Sequence, residues 1–302
     1  MGNAYRRVRG ECQRNFAKLI EGLTYRHSMW TVWQDFITMA AASISNAVDP
    51  AHFERREKMY LECAGKYTEK ELAVFPQLLT EVIAELDRNP NQDFLGELFM
   101  ALELGNEWKG QFFAPYDVCR AMSAITFAED TKERIQRQGW IGVSDPACGA
   151  GALLVAFANE CHERHINYQT DVLFVAQDID FIAGCMCYIQ LSLLGCPGYV
   201  VIADSLLHPS TSYDKRGLIP CEDDKDVWYT PFFFRPEWQM RRLISSVELQ
   251  FASVINAEPP ASECNEMVER PEKVAPSPNE RAEESSSDYE LNCTESGQLS
   301  LF

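Results

Sequence analysis

The segment from Ile141 to Glu163 restricts the fold of this 302-residue chain more than any other. Ile141-Gly142-Val143-Ser144 predicts a short buried strand. Asp145-Pro146-Ala147-Cys148-Gly149-Ala150-Gly151 interrupts it. Ala152 to Glu163 then places Leu153, Leu154, Phe157, Ala158 and Cys161 at helical spacing. A strand, a glycine turn and a helix in that order let backbone approach a ligand closely. They also aim the free N–H groups of the helix start at it. Asp145, at the end of the strand, adds a carboxylate that accepts from an amine or a hydroxyl.

The unit repeats. Val172 to Ala176 is a second apolar run, ending at Gln177-Asp178-Ile179-Asp180. Ile182, Cys185, Met186, Ile189 and Leu193 mark a helix that stops at Gly195. Tyr199 to Ala203 predicts a third strand, ending at Asp204. After a longer loop, Asp226 to Tyr229 is a candidate fourth strand, and Glu237 to Phe251 a last helix. Alternation of this kind predicts an α/β fold with a partial parallel sheet and ligands at the carboxyl ends of its strands. Each aspartate taken singly reads as a helix cap or turn residue. Acids at three successive strand ends read together as a ligand site.

Composition divides the rest. Residues 1–105 read as helices, with Phe16, Leu19, Ile20 and Leu23 on one face and Trp30, Trp33, Phe36, Ile37 and Ala40 on another. Residues 106–252 form the α/β domain. Residues 253–297 are rich in Pro, Ser and Glu and predict a disordered linker. Residues 298–302 are an apolar terminal peptide. Net charge is −18; Glu258 to Glu295 hold 11 acids against 3 bases, a net −8. The remainder is still acidic, which excludes a broadly basic DNA-wrapping body and confines any DNA contact to local patches. Arg6, Arg7, Arg9 and Arg14 are the clearest basic cluster, read first as a solvated helix start and second as a DNA contact. No apolar run reaches the length of a bilayer span and no signal-peptide core follows the N-terminus, so a cytoplasmic protein is expected. The eleven cysteines include no CxxC pair and no zinc spacing, so no metal is expected and they read as buried free thiols.

The string DPACGAG closely resembles the DPACGSG cofactor loop of adenine-N6 DNA methyltransferases, in particular the modification subunits of type I restriction-modification systems. Upstream, Gly110-Gln111-Phe112-Phe113-Ala114-Pro115 is similar to their GQFFTP segment, with Ala114 where a threonine is usual. The resemblance covers roughly residues 70–235. It implies a Rossmann-like core that binds S-adenosylmethionine and transfers its methyl group to adenine N6 in DNA. Asp145, Gly149 and Gly151 then take the methionine end, Asp178 the ribose and Asp204 the adenine amine, with Gln111, Phe113, Ala147 and Ile179 around them. The family order of strands, 3-2-1-4, leaves a sheet edge that the N-terminal helices or a second subunit can cover.

The family's catalytic Asn/Asp-Pro-Pro-Tyr/Phe segment aligns with Thr230-Pro231-Phe232-Phe233. The strand before it and an aromatic ring match, while the Asn and the second Pro do not. Pro231 to Phe234 therefore read either as a stacking platform for a flipped adenine or as a buried strand end. The terminal Gln298-Leu299-Ser300-Leu301-Phe302 resembles the bacterial sliding-clamp-binding peptide. In that peptide Leu299, Leu301 and Phe302 would enter an apolar cleft while Gln298 fixes register; the plain alternative is a chance apolar terminus. Two functions are thus expected as rivals. One is an adenine-N6 DNA methyltransferase of mobile-element or phage type, with or without a specificity subunit. The other is an inactive adaptor of the same fold, recruited to the sliding clamp.

Overall fold

The computed structural model describes residues 8, 10–104, 113–220, 226–255 and 298–300. Among the described residues six α-helices come first: α1 (Glu11–Glu21), α2 (Met29–Asn46), α3 (Phe53–Ala64), α4 (Glu69–Leu72), α5 (Phe75–Arg88) and α6 (Phe94–Ala101). Their starts are set by local chemistry. Ser28 accepts from the Thr31 N–H, Thr68 and Glu71 form a reciprocal capping box, and Asp93 accepts from the Gly96 N–H. Helix α2 is buried nearly all round, as an apolar helix must be. Its one buried acid, Asp35, is satisfied by Lys66 at 2.6 Å and Tyr67 at 2.7 Å.

Helices α7 (Tyr116–Thr126) and α8 (Thr131–Gln138) lead into the sheet. Strand β1 (Ile141–Asp145) is followed by α9 (Ala152–Glu163) and the short α10 (Tyr168–Asp171). Strand β2 (Val172–Asp178) is followed by α11 (Phe181–Leu193) and β3 (Gly198–Ile202). Strand β4 (Asp226–Tyr229), a 3₁₀ turn (Pro231–Phe234) and α12 (Pro236–Ile255) come next, and β5 (Gln298–Ser300) is last. The sheet order is β4-β3-β2-β1-β5. Strands β1, β2 and β3 are parallel, with Val143 beside Phe174 and Phe174 beside Gly198. Alternation along β2 splits the core. Val172, Phe174 and Ala176 join one large apolar cluster that runs from Phe16 to Trp228 and takes in the N-terminal helices. Leu173 and Val175 face a smaller cluster around Tyr199, Val227, Phe233 and Trp238.

The expected order 3-2-1-4 does not hold. Strand β4 runs antiparallel on the outer side of β3, with Tyr199 beside Tyr229 and Ile202 beside Asp226. The reason lies in the connection: 203–220 contain no helix, and without a crossover helix a strand returns beside its predecessor in the opposite direction. The position next to β1 is taken instead by residues 298–300, parallel, with Val143 beside Leu299.

The N-terminal helices close the β4 edge. Arg56 of α3 is fully buried; it donates to Asp226 at 2.7 Å and to the Val227 carbonyl at 3.0 Å, and its guanidinium lies 3.3 Å from the Trp228 ring centre. Arg55 reaches the other Asp226 oxygen at 3.2 Å. Arg56→Ala leaves Asp226 with Arg55 alone, empties the space over the Trp228 ring and leaves the Val227 carbonyl without this donor, so it should cost about 2–4 kcal/mol of unfolding free energy. A urea titration checks this, and a loss below about 1 kcal/mol would contradict the role given to Arg56.

Candidate functional site

The glycine turn follows β1 and is held against the carboxyl end of β2, with the end of β3 next along the sheet. Gly149 and Gly151 have φ of +54° and +94°, values that L side chains rarely adopt. They are also crowded. A Cβ on Gly149 would lie 2.9 Å from the Phe113 ring, and one on Gly151 would lie 2.8 Å from the Cys187 sulfur. The turn is tied to β2 by its own backbone, since the Cys148 N–H donates to the Gln177 carbonyl at 2.9 Å.

Two carboxylates brace the turn. Asp178, at the end of β2, accepts from the Gly149 N–H through Oδ2 and from the Asp180 N–H through Oδ1, both at 2.8 Å. A carboxylate has about four lone-pair positions, so each oxygen retains capacity for a ligand hydroxyl. Asp145 is 2% exposed and accepts from the Ala147 N–H at 3.1 Å. Burial pushes its carboxyl up to about 6, with the Ala147 N–H opposing and the Asp178 charge adding. Burial likewise raises Asp178. Asp204, beyond β3, turns Oδ1 to the Leu206 and Leu207 N–H groups, and among the described residues no donor meets Oδ2. The same loops expose apolar side chains: Ile179 is 72% exposed and Leu206 90%.

Phe113, from the upstream segment, stands against Gly149. Gln111 lies outside the described residues, as do Arg6, Arg7 and Arg9 and the terminal Leu301 and Phe302.

Thr230, Pro231, Phe232 and Phe233 do not join this site. Because β4 is antiparallel, its end meets the start of β3. Thr230 is fully buried; its hydroxyl donates to the Cys196 carbonyl at 2.7 Å and accepts from the Gly198 N–H at 3.0 Å. Strand β3 separates Gly198 from the Asp204 loop. At about 3.3 Å per residue that is roughly 15–20 Å, far beyond the reach of a side chain. Phe233 is 3% exposed and stacks on Tyr229 at 4.9 Å.

One residue that sequence reasoning missed holds the turn from behind. Gln190 of α11 is buried; it donates to the Ala150 carbonyl and to Asp93 at 2.8 Å each, and accepts from the Leu95 N–H at 3.2 Å. A lone carboxamide in a helix otherwise apolar all round was the available signal, since a buried amide must find partners.

The family model of the N-6 DNA methylases matches residues 97–260, over half of the chain. The chain belongs to the N-6 DNA methylase family. No curated protein and no solved structure matches it. The matched stretch includes the glycine turn and the three aspartates, and also Thr230 at the other end of the sheet.

Gly151→Ala combines strained φ with a clash against Cys187. It should lower stability by about 1–3 kcal/mol, read from thermal unfolding, whereas Gly139→Ala, with open space at its Cβ, should cost less. Equal losses at both positions would mean that φ alone matters.

Proposed function

We propose that the chain binds S-adenosylmethionine at the carboxyl ends of β1, β2 and β3, in the service of methylating adenine N6 in DNA. The supporting observation is the glycine turn clamped by Asp178, which leaves backbone and carboxylate together where no Cβ fits. Asp145 faces the ammonium of the methionine end, Asp178 spends its remaining lone pairs on the ribose hydroxyls, and Asp204 accepts from the adenine amine. Gln111, Phe113, Ala147 and Ile179 surround them. The cofactor, when bound, supplies a methyl group on a sulfonium. The chain's own part is to bind and orient it, because methyl transfer needs positioning more than acid–base chemistry.

A second reading is favoured by the position of Thr230: a cofactor-binding member that does not itself hold the target amine. It acts as an adaptor on replicating DNA, or beside a second or specificity subunit of a restriction-modification or phage-type system. Recruitment is through Gln298 to Phe302 on the sliding clamp.

Calorimetry with S-adenosylmethionine, followed by a DNA methylation assay on the same sample, tests both. Asp178→Ala should weaken binding by about 1–3 kcal/mol. Absence of binding at millimolar cofactor would end the first reading. Robust adenine methylation by the chain alone would retire the second. The pH dependence has a definite sign. The Asp145 carboxyl is raised to about 6, so its ionisation costs stability as pH rises from about 4 to about 6. An ammonium ligand requires the ionised form, and affinity should therefore increase about tenfold between pH 5 and pH 7. Asp145→Asn should flatten that profile.

The clamp reading has its own check. Deleting residues 298–302 should abolish binding to a bacterial sliding clamp. Because residues 298–300 pair with β1, the deletion should also speed amide exchange in β1. Clamp binding equal to that of the full chain would show the terminal match to be coincidental.

A further inference from the structure

Helix α12 is fixed to the body by one face. Trp238 and Ser245 are buried on it, the Trp238 ring N–H donates to the Gln169 carbonyl at 3.1 Å, and Arg242 donates to the Phe233 carbonyl at 2.7 Å. Arg241, at the side of the helix, donates to the Gly139 carbonyl at 2.9 Å. The face turned away from these anchors is apolar. Met240, Leu243, Ile244 and Val247 follow one another there at the three- and four-residue steps of a helix, each between 43 and 62% exposed. Side chains at that spacing form one continuous stripe, the pattern by which a helix enters an apolar partner surface. Single exposed apolar residues are ordinary; four in a row on an anchored helix mark an interaction surface.

Charge decides what covers it. The stripe is uncharged in a chain of net charge −18, so two copies meet there with the least like-charge repulsion. The two halves of the helix differ in sign. Arg241 and Arg242 lie in the first half, and Arg235 precedes it. Glu248, whose side chain is 63% exposed, lies in the second. Antiparallel pairing sets the basic half of each helix beside the acidic half of the other, whereas parallel pairing sets like beside like. The sequence that follows Ile255 is strongly acidic, net −8 from Glu258 to Glu295. In an antiparallel pair the two chains continue from opposite ends of a 20-residue helix, about 30 Å long. The same acidity makes a nucleic acid or an anionic lipid surface a poor occupant.

We propose that α12 is a dimer interface, in which the stripe of Met240, Leu243, Ile244 and Val247 packs antiparallel on the same stripe of a second copy of the chain. Such a contact is self-complementary and closes on a two-fold axis, so it stops at two copies. It lies apart from the glycine turn and stands whether or not the chain binds S-adenosylmethionine.

The test is sedimentation equilibrium of the full chain from about 1 to about 100 μM, with circular dichroism of every variant as the check on folding. The wild-type chain should be a dimer at the upper end of that range. Leu243→Glu sets a charge in the middle of the stripe and should weaken the dimer by at least about 100-fold. Leu61→Glu, at a comparably exposed leucine on α3, should leave it unchanged. Glu248→Lys should weaken it about fivefold at low salt, because it sets like charges together at both ends of the pair. A wild-type monomer at 100 μM would overturn the proposal, as would a dimer untouched by Leu243→Glu or one weakened equally by Leu61→Glu. A dimer strengthened by Glu248→Lys would overturn the antiparallel arrangement.

Discussion

The carboxamide of Gln190 joins α11 to two parts of the chain that are remote in sequence: the start of α6, through Asp93 and Leu95, and the glycine turn after β1. Buried amide groups must be satisfied or they cost about 1–3 kcal/mol each, so this one fixes distances as well as energies. It explains why the N-terminal helices and one face of the sheet share a single apolar cluster. It also explains how Phe113 comes to rest on Gly149: Phe113 packs at 5.0 Å on Phe99, in the helix that Gln190 anchors. The site is shaped from behind by residues that touch no ligand.

The two ends of the sheet carry different chemistry. At the carboxyl end the acids dominate, and burial raises both Asp145 and Asp178 above ordinary carboxylates. That end favours a cation or hydroxyls over a phosphate. At the amino end the guanidinium of Arg242 lies against the buried Phe233 ring, and Asp49 holds the His52 ring. A chain of net charge −18 cannot attract nucleic acid through its whole surface, so any such contact is confined to local patches.

Much of this was legible in the sequence, where local rules decide. Strands at 141, 172 and 199, the helices between them and the acids at their ends follow from periodicity and turn chemistry, and the structure places them so. Pairing was less legible, because it is a long-range choice. The resemblance put β4 beside β1. The lack of a helical pattern between Asp204 and Pro220 pointed the other way, toward an antiparallel return along β3. Thr230 could not be read at all from its neighbours. A threonine after a short apolar strand is compatible with a ligand contact or with a buried staple, and only the position of Gly198 decides for the staple. Arg56 is a similar case: nothing beside it in a helix rich in charge marks it for burial, yet Asp226 and Trp228 bury it.

The β1 edge is where the remaining choices meet. It adjoins the glycine turn, and residues 298–300 lie along it in parallel register. One side of an extended peptide's backbone is used up by such pairing. While paired, residues 298–300 cannot also lie extended in the cleft of another protein through the same groups. A strand donated by a second subunit would compete for the same row of N–H and C=O groups on β1. The parallel pairing is short, three residues against five for β1 with β2, so it has fewer ladder bonds to lose, and parallel pairing is slightly less stable per residue than antiparallel. The terminal peptide is therefore the element that a partner would displace first, and whatever replaces it stands beside the turn that Asp178 holds.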